Sequence, residues 1–152
     1  MEENETPWTF DGKQFTSEDI GDSYGFVYII TSKIDGRKYI GRKYFWSVRK
    51  LKKKDKRRTK SESDWKDYYG SSPELNKQIE KHGKHNFIRE ILSLHSTKGR
   101  VNIEEVREQF KNDVLEKDDY INENINGKWH RSPDHIRSKS KYSSKSSGRA
   151  SE

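Results

Sequence analysis

The sequence predicts a small mixed α/β (α+β) domain in which a short, largely antiparallel three-stranded sheet is flanked by helices. Two runs rich in β-branched and aromatic residues stand on either side of an Asp-Gly pair, and a third run follows near residue 87. Segments with apolar residues at helical spacing lie between and after these runs. At 152 residues the chain has the length of one ordinary domain.

An antiparallel hairpin is the first predicted element. Residues 24–32 are β-branched or aromatic almost throughout, which predicts a strand buried on both faces. Asp35-Gly36 is a strong tight-turn pattern. Residues 38–41 after it predict a second, short strand.

Two helices are predicted between this hairpin and the third strand. Apolar residues at spacings of one, three and three predict a helix from Arg42, followed by a loop or frayed helix end over residues 52–62. The apolar residues of that helix are Tyr44, Phe45, Val48 and Leu51. Pro73 suits the first turn of the next helix, which Gly83 ends.

A third strand and a last helix complete the predicted domain. Apolar and polar residues partly alternate over residues 86–92, which predicts a strand. Asn102 is the predicted N-cap of the following helix. The predicted buried face of that helix consists of Ile103, Val106, Phe110 and Val114.

Composition sets the expected domain limits. Only 28% of the residues are hydrophobic and 38% are charged, which predicts a modest core with disordered ends. Residues 1–22 are expected to form an acidic, partly disordered leader, although its aromatic residues could dock on the core. Residues 23–130 form the predicted domain, and residues 131–152 a basic, disordered tail rich in Ser and Lys.

Several classes of protein are excluded by the sequence. The chain has no cysteine, so disulfides, cysteine-based zinc fingers and thiol catalysis are ruled out. No apolar run approaches the roughly 20 residues that a membrane-spanning helix needs, and the acidic amino terminus does not resemble a signal peptide. We therefore expect a cytoplasmic protein, in a bacterium or a phage-infected host cell, with no membrane partner.

Positive charge is concentrated in one part of the chain. Residues 33–60 carry fourteen Lys and Arg against two Asp. A basic block of this density favours a polyanionic partner, of which nucleic acid is the commonest. A solvated, lysine-rich surface is the alternative explanation.

Two tyrosines stand out on the predicted hairpin. Tyr28 and Tyr39 lie eleven residues apart, one on each strand. Packing alone would explain them, since strands favour tyrosine. Further motifs follow in order, however: Arg49 ten residues after Tyr39, a helix-to-strand junction at residues 81–87, Glu108 on the last helix, and Tyr120-Ile121-Asn122.

Together these motifs resemble the GIY-YIG nuclease superfamily over about residues 25–127, and most resemble small free-standing or intron-encoded homing-type endonucleases of phages. Phe26-Val27-Tyr28 fills the GIY position, and Tyr39-Ile40-Gly41 is an intact YIG. Lys53 stands where some members have a histidine. The family asparagine falls on Asn122 or Asn124.

The resemblance implies a metal-dependent DNA endonuclease that hydrolyses phosphodiester bonds. In this interpretation Tyr28 is the general base, Tyr39 positions the attacking water, and Arg49 clamps the scissile phosphate with its planar guanidinium. Glu108 holds one Mg²⁺ or Mn²⁺ ion, with Glu104 as the alternative on the same helix face. The expected partner is double-stranded DNA, and a homodimer on DNA is one way to cut both strands.

A set of basic and amide side chains is expected to hold the nucleic acid, chiefly through its phosphates. The predicted nucleic-acid-binding residues are Arg42, Lys43, Lys50, Lys53, Lys54, Arg57, Arg58 and Asn122. Two other interpretations stay open, namely a catalytically inactive DNA-binding module of GIY-YIG fold and a small RNA-binding structural protein. The complete set of two tyrosines, an arginine and a glutamate favours the enzyme.

Overall fold

A computed structural model describes residues 5–50 and 58–132, with the backbone alone at residues 48–50 and 58–60. Its strands are β1 (Trp8–Phe10), β2 (Lys13–Gln14), β3 (Gly25–Ser32), β4 (Lys38–Tyr44), β5 (Trp46–Lys50), β6 (Arg58–Glu62), β7 (Phe87–His95), β8 (Asn124–Ile125) and β9 (Trp129–His130). Its helices are α1 (Pro73–His82) and α2 (Lys98–Lys111), with 3-10 turns at Ser17–Asp19, Trp65–Asp67 and Lys84–Asn86.

A five-stranded sheet forms the centre of the domain. Its strand order is β2-β1-β7-β3-β4, and every neighbouring pair is antiparallel except β1 and β7. The predicted mixed α/β class is therefore confirmed, and the three predicted strands correspond to β3, β4 and β7. The Asp35-Gly36 turn also joins β3 to β4 as expected, with Gly36 at a φ of 77°.

The sheet begins earlier in the chain than the sequence predicted. Residues 1–22 were expected to lie outside the domain, but β1 pairs with β7 and β2 pairs with β1. Trp8 and Phe15 are buried in the core. The leader interpretation is therefore wrong from Trp8 onward, because its aromatic residues fill the core that the apolar-poor remainder cannot fill alone.

The predicted helix from Arg42 to Leu51 is also wrong. The chain continues as β4 and then forms a separate antiparallel hairpin of β5 and β6. Four aromatic or β-branched residues favour a strand in this stretch. Among the side chains described at residues 45–47, only Phe45 is fully buried, so the one-sided burial expected of a helix is not seen. Residues 51–57, within the predicted loop, lie outside the described residues.

The two helices that flank the sheet agree with the sequence to different degrees. Helix α1 begins at Pro73 and ends before Gly83, as predicted. Helix α2 begins four residues before the predicted N-cap, since Thr97 caps it by accepting a hydrogen bond from the Arg100 amide. Asn102 therefore lies inside the helix.

The buried face of α2 differs from the predicted one as well. Its buried residues are Val101, Glu105 and Gln109, whereas Ile103 and Phe110 are 52% and 46% exposed. The prediction assumed that the buried face would be apolar. Two of the three buried residues, Glu105 and Gln109, are polar. Both line the second of the two cavities described below.

The outer edge of β4 is covered by residues 119–122. The Lys38 amide donates to the Asp119 carbonyl, and the Ile121 amide donates to the Lys38 carbonyl. Asn122 is 2% exposed, and its side chain accepts from the Ile40 amide and donates to the Ile40 carbonyl. Asn122 was predicted to bind nucleic acid; this buried contact with β4 contradicts that role.

Two buried clusters lie on opposite faces of the sheet. The larger one contains Tyr28 and the aromatic residues of the amino-terminal strands, and the smaller one contains Val27, Ile40 and residues after α2.

No helix of the described chain is long and apolar enough to cross a membrane. Of the predicted tail at residues 131–152, residues 133–152 lie outside the described residues.

Arg89 of β7 ties the amino-terminal segment to the rest of the domain. It is 2% exposed, and its guanidinium lies 4.8 Å and 4.0 Å from the ring centroids of Trp8 and Tyr69. It donates hydrogen bonds to the carbonyls of Thr6, Lys66 and Tyr68. One side chain thus satisfies three carbonyls from two otherwise separate segments.

We predict that Arg89→Met lowers the free energy of unfolding by about 3 kcal/mol, because it leaves these carbonyls without donors in a buried site. Urea unfolding followed by circular dichroism measures the change. Arg100→Met is the matched control, with a loss of at most about 0.5 kcal/mol, since Arg100 makes an exposed ion pair with Glu104. Equal losses in the two variants would contradict the role given to Arg89.

Candidate active site

Three tyrosines meet at the centre of the site. Tyr28 of β3 and Tyr39 of β4 have ring centroids 6.3 Å apart, and Tyr68 approaches Tyr28 at 6.1 Å. Tyr28 is 1% exposed, whereas Tyr39 is only partly buried. The structure therefore brings the two predicted tyrosines together, and the 3-10 turn at Trp65–Asp67 leads into the third.

Gly41 allows this close packing of tyrosines. Tyr28 and Gly41 are paired across β3 and β4. A Cβ atom at position 41 would lie 2.5 Å from the Tyr28 hydroxyl and 3.0 Å from the Tyr39 ring. A side chain there would displace the tyrosines, so the Tyr39-Ile40-Gly41 motif has a steric explanation in this structure.

An ion pair between Arg42 and Glu105 lies beside the tyrosines. The Arg42 Nη1 atom donates to Glu105 Oε1 at 2.8 Å, and the Glu105 side chain is 11% exposed. Arg42 Nε also donates to the Tyr44 hydroxyl at 3.2 Å, which in turn donates to Asn102 at 2.6 Å. Strand β4 and helix α2 are thereby joined by a short polar chain.

Two adjoining cavities open beside this ion pair. The first has a volume of about 270 Å³ and is lined by Tyr28, Tyr39, Arg42, Lys43, Tyr44, Trp46, Ser47, Ser63, Tyr68, Ser71 and Glu105. The second has a volume of about 240 Å³ and is lined by Tyr39, Arg42, Ser71, Ser72, Pro73, Glu105, Gln109, Glu123, Asn124 and Asn126. Four residues border both cavities and mark the centre of the site: Tyr39, Arg42, Ser71 and Glu105.

Glu108, the predicted metal ligand, is not among the residues that line either cavity. Its carboxylate and carbonyl accept from the Asn112 side chain instead. Glu104, the alternative, pairs with Arg100 and Arg107 on the exposed side of α2. The buried face of α2 is rotated from the predicted one. Glu105 therefore lies beside the tyrosines, where the sequence interpretation expected Glu108.

Gln109 lies one helical turn after Glu105 and is 3% exposed. Its Nε2 donates to the Ile40 carbonyl at 2.8 Å and lies 3.4 Å from Glu105 Oε2. Its Oε1 has no hydrogen-bond partner and is the one such buried side-chain atom in the described part of the chain. An unsatisfied buried acceptor is costly. A water molecule or a cation bound to this oxygen would remove that cost.

Burial controls the protonation of the site. It raises the pKa of Tyr28 well above 10, and the neighbouring Tyr68 and Tyr39 add to that effect. Burial also raises the pKa of Tyr39, although the Ser71 hydroxyl partly offsets it. For Glu105, burial raises the pKa, and the Arg42 guanidinium offsets only part of the rise. Burial of Tyr28 thus disfavours the phenolate that its predicted role as the general base requires.

The predicted basic residues are distributed unevenly around the site. Lys43 borders the first cavity, with its Nζ 2.6 Å from Asp64 and 4.1 Å from the Tyr68 ring centroid. Arg49 lies on β5 opposite Thr59, not on a helix, and the described residues do not include its side chain. The side chains of Lys50 and Arg58 are likewise not among the described atoms, and the backbones of these two residues are paired at the next position of the hairpin.

Three further predicted contacts, Lys53, Lys54 and Arg57, lie outside the described residues. The hairpin of β5 and β6 starts and ends at the first cavity. The Ser63 amide donates to the Phe45 carbonyl, and both Trp46 and Ser63 line the first cavity.

Sequence reasoning missed Glu105, Tyr68 and Gln109 as site residues. Glu105 was one of three acids on one helix, and an apolar pattern was used to orient that helix. Glu105 and Gln109 are four residues apart and so share one helix face. Their burial becomes recognisable only once Arg42 is known to pair with Glu105.

The chain matches a family model described as "Putative endonuclease segE, GIY-YIG domain" over residues 8–125. The chain belongs to the GIY-YIG nuclease family. This GIY-YIG domain includes β1, in agreement with the place of that strand in the sheet. Searches of the curated proteins and of the solved structures found no significant match. Membership of the family implies a nuclease, with DNA as its substrate.

We predict that Glu105→Gln stabilises the protein at pH 7 by on the order of 1 kcal/mol, because the folded state raises the pKa of this carboxyl and disfavours its charged form. Protonation of Glu105 then stabilises the wild type as the pH falls through its pKa toward the ordinary value of 4.5. The difference between variant and wild type should therefore shrink in acid.

Urea unfolding between pH 7 and pH 4.5 tests this prediction, with Glu108→Gln as the matched control that should change stability little. A Glu105→Gln variant less stable than the wild type at pH 7 would show that the Arg42 ion pair outweighs the burial of the carboxylate.

Proposed function

We propose that this GIY-YIG protein is a metal-dependent DNA endonuclease whose active centre is formed by Tyr39, Arg42 and Glu105. The observation that carries the proposal is the ion pair of the buried Glu105 with the partly exposed Arg42, at the junction of two cavities lined by tyrosines. A buried carboxylate with a raised pKa is expensive to keep in a fold for stability alone. Such groups cluster at functional sites.

The residues present fit a single hard divalent cation. Glu105 offers carboxylate oxygens, and the unpartnered Oε1 of Gln109 lies on the same helix face one turn away. No group of three or more His, Asp or Glu side chains occurs among the described residues. Mg²⁺ and Mn²⁺ suit such a site, because Mg²⁺ keeps several waters and is commonly held by one or two carboxylates plus substrate phosphates.

Glu105 is thus the proposed metal ligand, and the Oε1 atom of Gln109 would accept from a water molecule or contact the cation. When bound, the cation would neutralise charge on the phosphate and favour ionisation of nearby water. A carboxylate has lone pairs enough to accept from Arg42 on one oxygen and contact a cation with the other. The ion pair therefore need not break completely for the cation to bind.

Tyr39 is proposed to position the attacking water. It borders both cavities and is less buried than Tyr28, so it can contact substrate and solvent at once. The water oxygen would bond to phosphorus while the bond to one phosphodiester oxygen breaks. The Glu105 carboxylate lies at the wall shared by both cavities and would accept the proton of that water, while the departing oxygen takes a proton from solvent.

Tyr28 is proposed as a positioning residue. Its ring fills the space over Gly41 and packs against Tyr39, which fixes the direction of the Tyr39 hydroxyl. Its own hydroxyl is fully buried, which raises its pKa and favours the protonated form. This differs from the general-base role expected from the resemblance.

Arginines are proposed to hold the scissile phosphate. Arg42 is the arginine that the structure places at the cavities, and its planar donors suit phosphate oxygens. Arg49 remains a second candidate, on the hairpin of β5 and β6 that starts at the cavity rim. The lysines and arginines of that hairpin would add phosphate contacts that fix position without reading sequence.

We predict that the wild-type protein nicks supercoiled plasmid at low salt with Mg²⁺ or Mn²⁺ and does not nick it in EDTA. Glu105→Gln should lower the nicking rate by about 100-fold or more, because one charged group of the active centre is lost. Glu108→Gln is the matched control and should retain most of the activity, since Glu108 lies one turn away and lines neither cavity.

The opposite pattern, with activity lost in Glu108→Gln and retained in Glu105→Gln, would return the metal site to Glu108. A folded wild type that binds plasmid without cutting it in either metal would support the DNA-binding module of the same fold. Gel electrophoresis of nicked and supercoiled plasmid over time gives both rates.

A further inference from the structure

Two aromatic side chains are exposed together on the surface near the second cavity. Phe110 at the end of α2 is 46% exposed and Trp129 of β9 is 43% exposed. Their ring centroids are 5.2 Å apart in an edge-to-face arrangement. Of the six large hydrophobic side chains exposed in the described part of the chain, only these two are aromatic.

The hairpin that carries Trp129 is held firmly at its base. Ile125 is 1% exposed and pairs with Trp129 across β8 and β9. The turn between the strands is closed by the Asn124 side chain, which accepts from the Gly127 amide at 2.9 Å. The Trp129 ring is therefore presented on a fixed backbone and supported by Phe110, which lowers the entropic cost of a contact.

This aromatic pair adjoins the proposed active site. Phe110 directly follows Gln109, and Asn124 and Asn126 of the hairpin line the same cavity as Gln109 and Glu105. A DNA strand whose phosphate reaches Arg42 and Glu105 would pass the hairpin within a short distance. Continuity with the cavity therefore favours the nucleic acid over an unrelated partner.

The charges around the pair suit a polyanion. Lys128 Nζ lies 5.2 Å from the Trp129 ring centroid, and Arg107 and Lys111 are exposed on α2 beside Phe110. Within residues 122–132 the sequence has one acid, Glu123, against one lysine, one arginine and one histidine. Aromatic rings beside lysines are the usual elements of sites that stack nucleobases.

The exposed area is too small for a stable protein partner. Large aromatic side chains bury about 150–250 Å² each, so the exposed parts of two such rings offer roughly 200 Å². A stable dimer buries about 800 Å² on each partner. One nucleobase, in contrast, covers about one aromatic ring.

We propose that Trp129, supported by Phe110, stacks on an unpaired or displaced nucleobase of the DNA beside the scissile phosphate. This inference rests on the proposed endonuclease function for its choice of ligand. Lys128 contributes a phosphate contact at the same place. The contact supplies affinity for distorted DNA and lies outside the residues that cut it.

Binding of a fluorescein-labelled DNA duplex with one unpaired base, measured by anisotropy in EDTA, tests the proposal on the full-length chain. Trp129→Ala should weaken binding about tenfold. Trp129→Phe should retain most of the affinity because it keeps an aromatic face. Trp129→Leu keeps apolar bulk without that face, and should lose as much affinity as the alanine variant.

Salt dependence separates stacking from charge. Trp129→Ala should leave the slope of log affinity against log salt unchanged, whereas Lys128→Ala should reduce it by about one. Ile34→Ala is the matched control, since Ile34 is 51% exposed on the turn between β3 and β4 and should bind like the wild type.

Equal binding by Trp129→Ala, Ile34→Ala and the wild type would overturn the proposal. A change in sedimentation of the free protein without a change in DNA affinity would assign the pair to self-association and would also overturn it. Because binding is measured without metal, a wild type that fails to nick plasmid would refute the endonuclease and leave the stacking result interpretable.

Discussion

The backbone of Ile40 is the point on which the geometry of the site depends. β4 is the outermost strand of the sheet, and its free edge would expose unpaired backbone groups. Asn122 satisfies both the amide and the carbonyl of Ile40, and Gln109 donates to the same carbonyl. Helix α2 and the segment after it are thereby fixed to one residue of β4. Tyr39 and Arg42, on either side of that residue, are held where they meet Glu105.

The proposed active centre lowers the stability of the fold. Glu105 is buried on the helix face that would otherwise hold an apolar residue, and among the described residues Arg42 is the cation that pairs with it. Gln109 pairs its nitrogen but not its oxygen. A helix designed for stability alone would fill both positions with apolar side chains. These two buried polar side chains distinguish the proposed active centre from the surrounding core.

The sequence predicted β3, β4, β7 and α1 because each has a strong local pattern, such as the Asp-Gly turn or Pro73 at a helix start. The tyrosine pair followed from its place on that hairpin. The β5–β6 hairpin was missed because its apolar residues also fit a helical spacing. Glu105 was missed because its burial is decided by Arg42, 63 residues away in the chain. Long-range pairing of this kind leaves no periodic trace in the sequence.

If Glu105 holds the divalent cation, anomalous diffraction from crystals grown with Mn²⁺ should show it directly. We expect one anomalous peak within coordination distance of the Glu105 carboxylate, on the cavity side shared with Tyr39 and Gln109. A peak at Glu108, or a fully occupied peak that does not contact Glu105, would contradict it.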